Sequence, residues 1–190
     1  AVVLALGVEY RRLDAPGLTE LEGAGVYYGA SMSEGRALAG EDVYIVGGGN
    51  SAGQAALHLA RWARRVTILV RGTTLATSMS RYLIARIEAT PNIVLHTRTR
   101  VETLEGDGSL ERIRWRSLDT GVTETHAIRS LFLMTGAEPN TSWLGSCVVR
   151  DDKGFVKTGT DLHPDELAAA AWPLPRPPFM LETSTPGVFC

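Results

Sequence analysis

The run Val43-Tyr44-Ile45-Val46-Gly47-Gly48-Gly49-Asn50-Ser51-Ala52 is the part of this sequence best suited to chemistry. What it offers is main chain rather than a reactive side chain. A strand that breaks on glycines straight into a helix presents free backbone N–H groups and the positive end of a helix dipole, which together hold a diphosphate. The spacing is Gly47-x-Gly49-x-x-Ala52. In that pattern the first glycine allows the tight turn, the second lets phosphates approach the backbone, and the small third residue keeps helix and strand close. Gly47, Gly48, Gly49, Asn50, Ser51 and Ala52 are therefore the candidate diphosphate contacts.

A dinucleotide needs a second contact. The residue about 20 positions past the glycines, at the end of the next strand, meets the adenosine ribose; a carboxylate there selects NAD and a cation selects NADP. The segment here is Ile68-Leu69-Val70-Arg71-Gly72-Thr73-Thr74, without Asp or Glu. Val70 and Arg71 are the candidates, because a guanidinium is always charged and forks onto two phosphate oxygens. Ser78 or Ser80 could add a hydroxyl, although a helix cap is the expected role of Ser78. Thr135 and Gly136 follow an apolar run at the carboxyl end of a strand, where a nicotinamide carrier would meet backbone.

No side chain in the chain is expected to do covalent or acid–base chemistry. His58, His96, His126 and His163 lack zinc spacing, and no cysteine stands near them. Asp165 and Glu166 open a short helical run and read as cap residues. Cys147 has only Arg150 as a basic neighbour and reads as an inert thiol, and Ser31 has no local activator.

The elements that must position the loop are legible around it. Val43–Val46 reads as a strand, and Ser51–Ala63 as a helix with Ala52, Ala56, Leu59 and Ala63 on one face and Ser51 as its cap. Val66–Val70 is a strand whose continuous apolar character suits a parallel sheet buried on both faces. Ser78–Ala89 predicts a second helix with Met79, Leu83, Ile84 and Ile87 inward, stopped by Pro91, and Ile93–His96 a third strand. Residues 101–104, 113–116 and 123–128 form an antiparallel meander, with turns at Gly106-Asp107-Gly108 and Asp119-Thr120-Gly121. Leu131–Met134 is a buried strand. Val2–Leu6 is a strand closed by Gly7, residues 8–40 an irregular connector, and Trp172–Pro178 an extended connector whose prolines forbid a regular element. The fold class is α/β: a Rossmann-like, three-layer NAD(P)-binding domain with a central, mostly parallel sheet and a small meander.

The bulk properties bound the partners. The chain has 190 residues, a formal net charge of -2 and a sequence pI near 6.1, which point to neither nucleic acid nor an anionic membrane. No apolar run approaches the roughly 18 residues of a membrane span. Two widely spaced cysteines suit a cytoplasmic protein. The chain opens inside one strand-like run and stops in another, so it is expected to be part of a larger protein.

Five motifs in order resemble the pyridine-nucleotide half of the thioredoxin reductase family of flavoproteins. They are Ala1–Gly7, Tyr10–Gly17, the Gly47–Ala52 loop, Leu131–Thr141 with its Gly136-Ala137-Glu138-Pro139-Asn140-Thr141, and Thr183–Phe189. The resemblance implies a strand and crossover from a missing FAD domain at 1–10, an NAD(P)H-binding domain at 11–141, and a return segment toward the FAD domain at 142–190. It implies NADP(H) bound here and FAD bound outside this chain. Two departures qualify it. The family's Cys-x-x-Cys is replaced by Gly29-Ala30-Ser31-Met32, so disulfide reduction at that site is not expected. The family's His-Arg-Arg-x-x-x-Arg cluster is reduced to Val70-Arg71-Gly72 and Ala76. The expected function is hydride transfer from NADPH to FAD and on to another acceptor, which could be ferredoxin, flavodoxin or a small molecule. A homodimer is possible at full length, and the 190 residues alone should lack turnover. The alternative is a non-catalytic nucleotide-sensing domain of a fused protein.

Overall fold

A computed structural model describes residues 1–29 and 37–190, and it divides the chain into two compact units: Arg12–Gly136, and Ala1–Arg11 with Ala137–Cys190. In chain order the described strands are β1 (Val2–Val3), β2 (Val8–Tyr10), β3 (Val26–Tyr28), β4 (Asp42–Val46), β5 (Arg65–Leu69), β6 (Ile93–His96), β7 (Thr99–Glu105), β8 (Arg112–Ser117), β9 (Thr123–Ala127), β10 (Ser130–Leu133), β11 (Ala137–Pro139) and β12 (Val188–Phe189). The described α-helices are α1 (Leu18–Leu21), α2 (Asn50–Leu59), α3 (Arg81–Glu88) and α4 (Pro164–Ala169).

The 12–136 unit is built on a parallel five-stranded sheet in the order β3-β10-β4-β5-β6. Side chains alternate across a strand, so each strand feeds two cores. Val43 and Ile45 of β4 and Phe132 of β10 point to the helical side, where they pack with Ala52, Ala56 and Leu59 of α2 and Leu83 and Ile87 of α3. Tyr44, Leu131 and Leu133 point the other way, onto Val101, Leu104, Ile113 and Trp115 of the β7-β8-β9 meander. Tyr44 meets the Trp115 ring at 5.4 Å between centroids. Helices, parallel sheet and meander make three layers, and the α/β Rossmann-like reading is the architecture observed.

Helix α2 packs through small residues, with Ala52 and Ala56 fully buried. Helix α3 and the residues leading into it approach closely at Gly53, where a Cβ would stand 2.9 Å from Met79 Sδ and 3.4 Å from Leu83 Cδ1. Two readings of the helix starts need correction. Ser51 lies inside α2, whose N-cap is Gly49, and no side chain caps it. Helix α3 begins at Arg81 with Ser80 as N-cap, so Ser78 and Met79 precede it.

The stretch read as an irregular connector holds β2, α1 and β3, and β3 forms the sheet edge beside β10. Three residues carry no usable period, and the partner of β3 lies about a hundred positions away (Val26↔Leu131). The opening strand is likewise shorter than expected: only Val2 and Val3 pair, with Val188 and Phe189.

The second unit contains two small sheets, β1 with β12 in parallel and β2 with β11 antiparallel, where Tyr10 faces Ala137 and Val8 faces Pro139. Glu166 on the first turn of α4 accepts the His163 N–H at 2.9 Å and the Lys157 ammonium at 2.6 Å, a cap as its position implied. Trp172–Pro178 forms no regular element. It is held instead by Arg176, whose guanidinium lies 3.8 Å from the Phe179 ring centroid and donates to Glu182 at 2.6 Å.

Glu182 is the charged anchor of this unit. Its side chain is 1% exposed and also accepts the N–H groups of Phe179 and Gly187. The Arg176 guanidinium foremost, then these amides, hold its carboxyl down at about 2. A carboxylate depressed on folding contributes stability above its unfolded value near 4.3 and loses it as pH falls toward the folded value. We therefore expect Glu182→Gln to melt several degrees below the parent at pH 7. The gap should close between pH 4 and pH 2. Thermal denaturation across that range checks it, and a gap independent of pH would exclude the assignment.

Candidate functional site

The sheet explains how residues far apart in sequence share one edge. Parallel strands all end on the same side, and in open α/β sheets ligands bind beyond the carboxyl ends. Strands β4, β5 and β10 are adjacent. Their carboxyl ends deliver Gly47–Gly49, Val70-Arg71 and Thr135-Gly136 respectively. Those are the three groups of candidate residues read from the sequence.

The glycine loop is fixed from below. Gly47 donates its N–H to the Leu69 carbonyl at 3.1 Å, and Met134 donates to the Val46 carbonyl at 2.8 Å. Gly47 adopts φ +150°, and a Cβ there would sit 2.4 Å from the Met134 carbonyl oxygen. Glycine is thus required at 47 by the neighbouring strand, beyond the turn itself.

Gly49 differs. It is extended at φ -92° and ψ -178°, and a Cβ there would meet only Ser78 O at 3.8 Å, an ordinary contact. The protein has room for a methyl group at 49. A ligand lying over the loop would not leave that room, and this is the observation on which the loop fits a diphosphate. The same geometry leaves the amides of Asn50, Ser51 and Ala52 in the first turn of α2 without intrahelical acceptors. Ser51 is exposed and Ala52 is fully buried against the sheet.

Val70 and Arg71 separate in role. Val70 is buried, and its backbone is committed on both sides, to His96 O and Thr99 N at 2.9 Å each. It forms the floor under Gly48, whose Cβ would approach Val70 Cγ1 to 3.0 Å. Arg71 is exposed and, among the described residues, has no ion-pair partner. The main chain beside it is rigid, since Gly72 accepts the Arg98 N–H at 2.9 Å. Thr135 is half-buried, and Gly136 is exposed at φ +91° with open space where a Cβ would stand.

Sequence reading missed two contacts at this edge. The Ser78 hydroxyl donates to the Gly48 carbonyl at 2.8 Å, and the Ser80 N–H donates to Asn50 Oδ1 at 2.8 Å. Each joins residues 30 positions apart, so no local pattern announces it. Ser31, at the position of the family's dithiol, lies outside the described residues. Cys147 and Cys190 are free and exposed. Among the described residues no helix is long and apolar enough to cross a membrane.

Comparison with known proteins agrees with this geometry. Residues 1–164 match the family described as pyridine nucleotide-disulphide oxidoreductase. The chain is 33% identical over 157 residues to a thioredoxin reductase of Mycolicibacterium smegmatis, covering 83% of this chain and 50% of that protein. It is 31% identical over 171 residues to an NADH dehydrogenase of Bacillus subtilis, covering 88% of this chain and 33% of that one. Among solved structures, the thioredoxin reductase of Streptococcus pyogenes superposes with a TM-score of 0.75 at 25% identity, over 99% of this chain and 55% of its own. The chain thus spans half or less of the length of these curated relatives. With its sheet, loop and 164 matched residues taken together, the chain belongs to the pyridine nucleotide-disulphide oxidoreductases, a family of flavoprotein oxidoreductases, and within it is thioredoxin-reductase-like.

Proposed function

We propose that this chain is the NADP(H)-binding part of a flavoprotein reductase. The observation that carries the reading is the edge at Gly49: helix-end amides without intrahelical acceptors, no capping side chain, and space that the protein leaves unfilled. The amides of Gly49, Asn50 and Ser51 would hold the diphosphate, while Gly47 and Ala52, which is fully buried rather than a contact, set the loop against the sheet. Arg71 would take the 2′-phosphate, and Thr135 and Gly136 would line the nicotinamide side. When bound, the nicotinamide supplies a hydride, chemistry that belongs to the cofactor. The chain's part is to bind and orient. In the full-length protein the hydride would reach FAD, and the electrons would pass to an acceptor other than a thioredoxin served by Cys-x-x-Cys, since no such pair occurs in these 190 residues.

Calorimetry with NADP⁺ and NAD⁺ tests the reading. NADP⁺ should bind more tightly. Arg71→Ala should weaken NADP⁺ by about 1.5–3 kcal/mol, the range for a charged hydrogen bond, and leave NAD⁺ nearly unchanged. Equal or tighter binding of NAD⁺ by the parent chain would remove Arg71 from this role, a real alternative given a relative named for NADH. The electron-transfer half is tested on the full-length protein, whose flavin absorbance should bleach with NADPH. A yellow protein that stays yellow would favour a sensing domain.

A further inference from the structure

We propose that Asn50 and Ser78 are positioning residues that aim the diphosphate loop, and that neither side chain is spent on the ligand. This rests on the nucleotide-binding reading above. The two hydrogen bonds straddle Gly49: Ser78 Oγ–H to Gly48 O on one side, Ser80 N–H to Asn50 Oδ1 on the other, each 2.8 Å.

The Gly48 carbonyl and the Gly49 N–H belong to one planar trans peptide unit and point in opposite directions. Pinning the carbonyl toward Ser78 therefore turns the Gly49 N–H away from Ser78, toward the open side of the loop. Asn50 completes the arrangement. It is the first residue of α2, where a short polar side chain could fold back and hydrogen-bond the free amides of its own helix. With its oxygen committed to Ser80, it leaves the amide of the exposed Ser51 uncapped. Three consecutive glycines are among the most mobile backbone a chain can have. Fixing them before the ligand arrives removes that ordering cost from binding. The same two bonds tie the loop to the segment that runs on from Arg71, so the diphosphate and 2′-phosphate contacts share one frame.

The test is calorimetry of the 190-residue chain with NADP⁺, together with NMR titration of adenosine 2′-monophosphate, which carries no diphosphate. Asn50→Ala and Ser78→Ala should each weaken NADP⁺ about tenfold, as expected when one ordering contact of roughly 1.4 kcal/mol is lost. Both should bind adenosine 2′-monophosphate as the parent does, whereas Arg71→Ala should weaken both ligands. In the ligand-free chain, Asn50→Ala and Ser78→Ala should raise the backbone mobility of Gly48 and Gly49 seen by NMR relaxation, because each removes a bond that orders the loop. Alanine variants that bind NADP⁺ like the parent would overturn the proposal. So would alanine variants whose ligand-free glycine loop is as ordered as the parent's while NADP⁺ affinity falls, which would mean that the side chain touches phosphate directly. A parent chain that binds no NADP⁺ at millimolar concentration would instead overturn the nucleotide reading, and this proposal with it.

Discussion

Gly49→Ala should leave the chain folded and take away its affinity for NADP⁺. The added methyl meets only Ser78 O, at 3.8 Å, and residue 49 has an extended backbone that alanine adopts readily. The folded state loses little beyond a poorer helix cap, worth about 0.5–1 kcal/mol. Binding suffers twice. The methyl occupies the space a diphosphate needs, and the phosphates are held off amides that each contribute about 1.5–3 kcal/mol to a charged group. We expect a loss of at least about a hundredfold, or roughly 3 kcal/mol, with a melting temperature within a few degrees of the parent. Calorimetry and thermal denaturation of one preparation read both. Undiminished affinity would mean that the ligand does not pass over this loop.

Gly47→Ala should do the reverse, damaging the fold first. A Cβ at 47 would lie 2.4 Å from the Met134 carbonyl oxygen and 2.9 Å from its carbon, and the residue sits at φ +150°. The obstacle is backbone of the strand next door, which cannot rotate aside as a side chain can. Either the turn changes its dihedrals or β10 shifts away from β4, in the middle of the sheet. Strain at such a position costs about 1–3 kcal/mol, and overpacking adds about 1–3 kcal/mol. Urea denaturation should show a loss of about 2–6 kcal/mol. A variant as stable as the parent would contradict the close approach of Met134.

The two glycines look alike in sequence, and this marks where sequence reading stops. The loop, β4, α2, β5 and β6 were legible because each shows its own local signal: an apolar run, a helical stripe of Ala52, Ala56 and Leu59, or a break on glycines. The meander was legible from its turns. Elements that exist only through distant partners were not. Strand β3 is defined by hydrogen bonds to β10, and the extent of β1, read as Val2–Leu6, is set by its two rungs with β12. In the site, residue types and spacing indicated what could bind, but not which residue braces and which touches. Ser78 was expected to cap a helix and Asn50 to meet phosphate. Both roles turn on hydrogen bonds that cross 30 positions, set by how α3 packs on α2 rather than by anything nearby in the chain.

The rungs that join Tyr10 to Ala137 and Val8 to Pro139 have a consequence for how such a sequence can change. The chain leaves for residues 12–136 and comes back through one doorway, its jambs already zipped together. An exchange that replaced everything beyond the doorway would create only two junctions, a few ångströms apart, and would leave the outer pairing untouched. Recombination could therefore trade residues 12–136 as a block, and lengthening or shortening inside it need not be felt at the threshold.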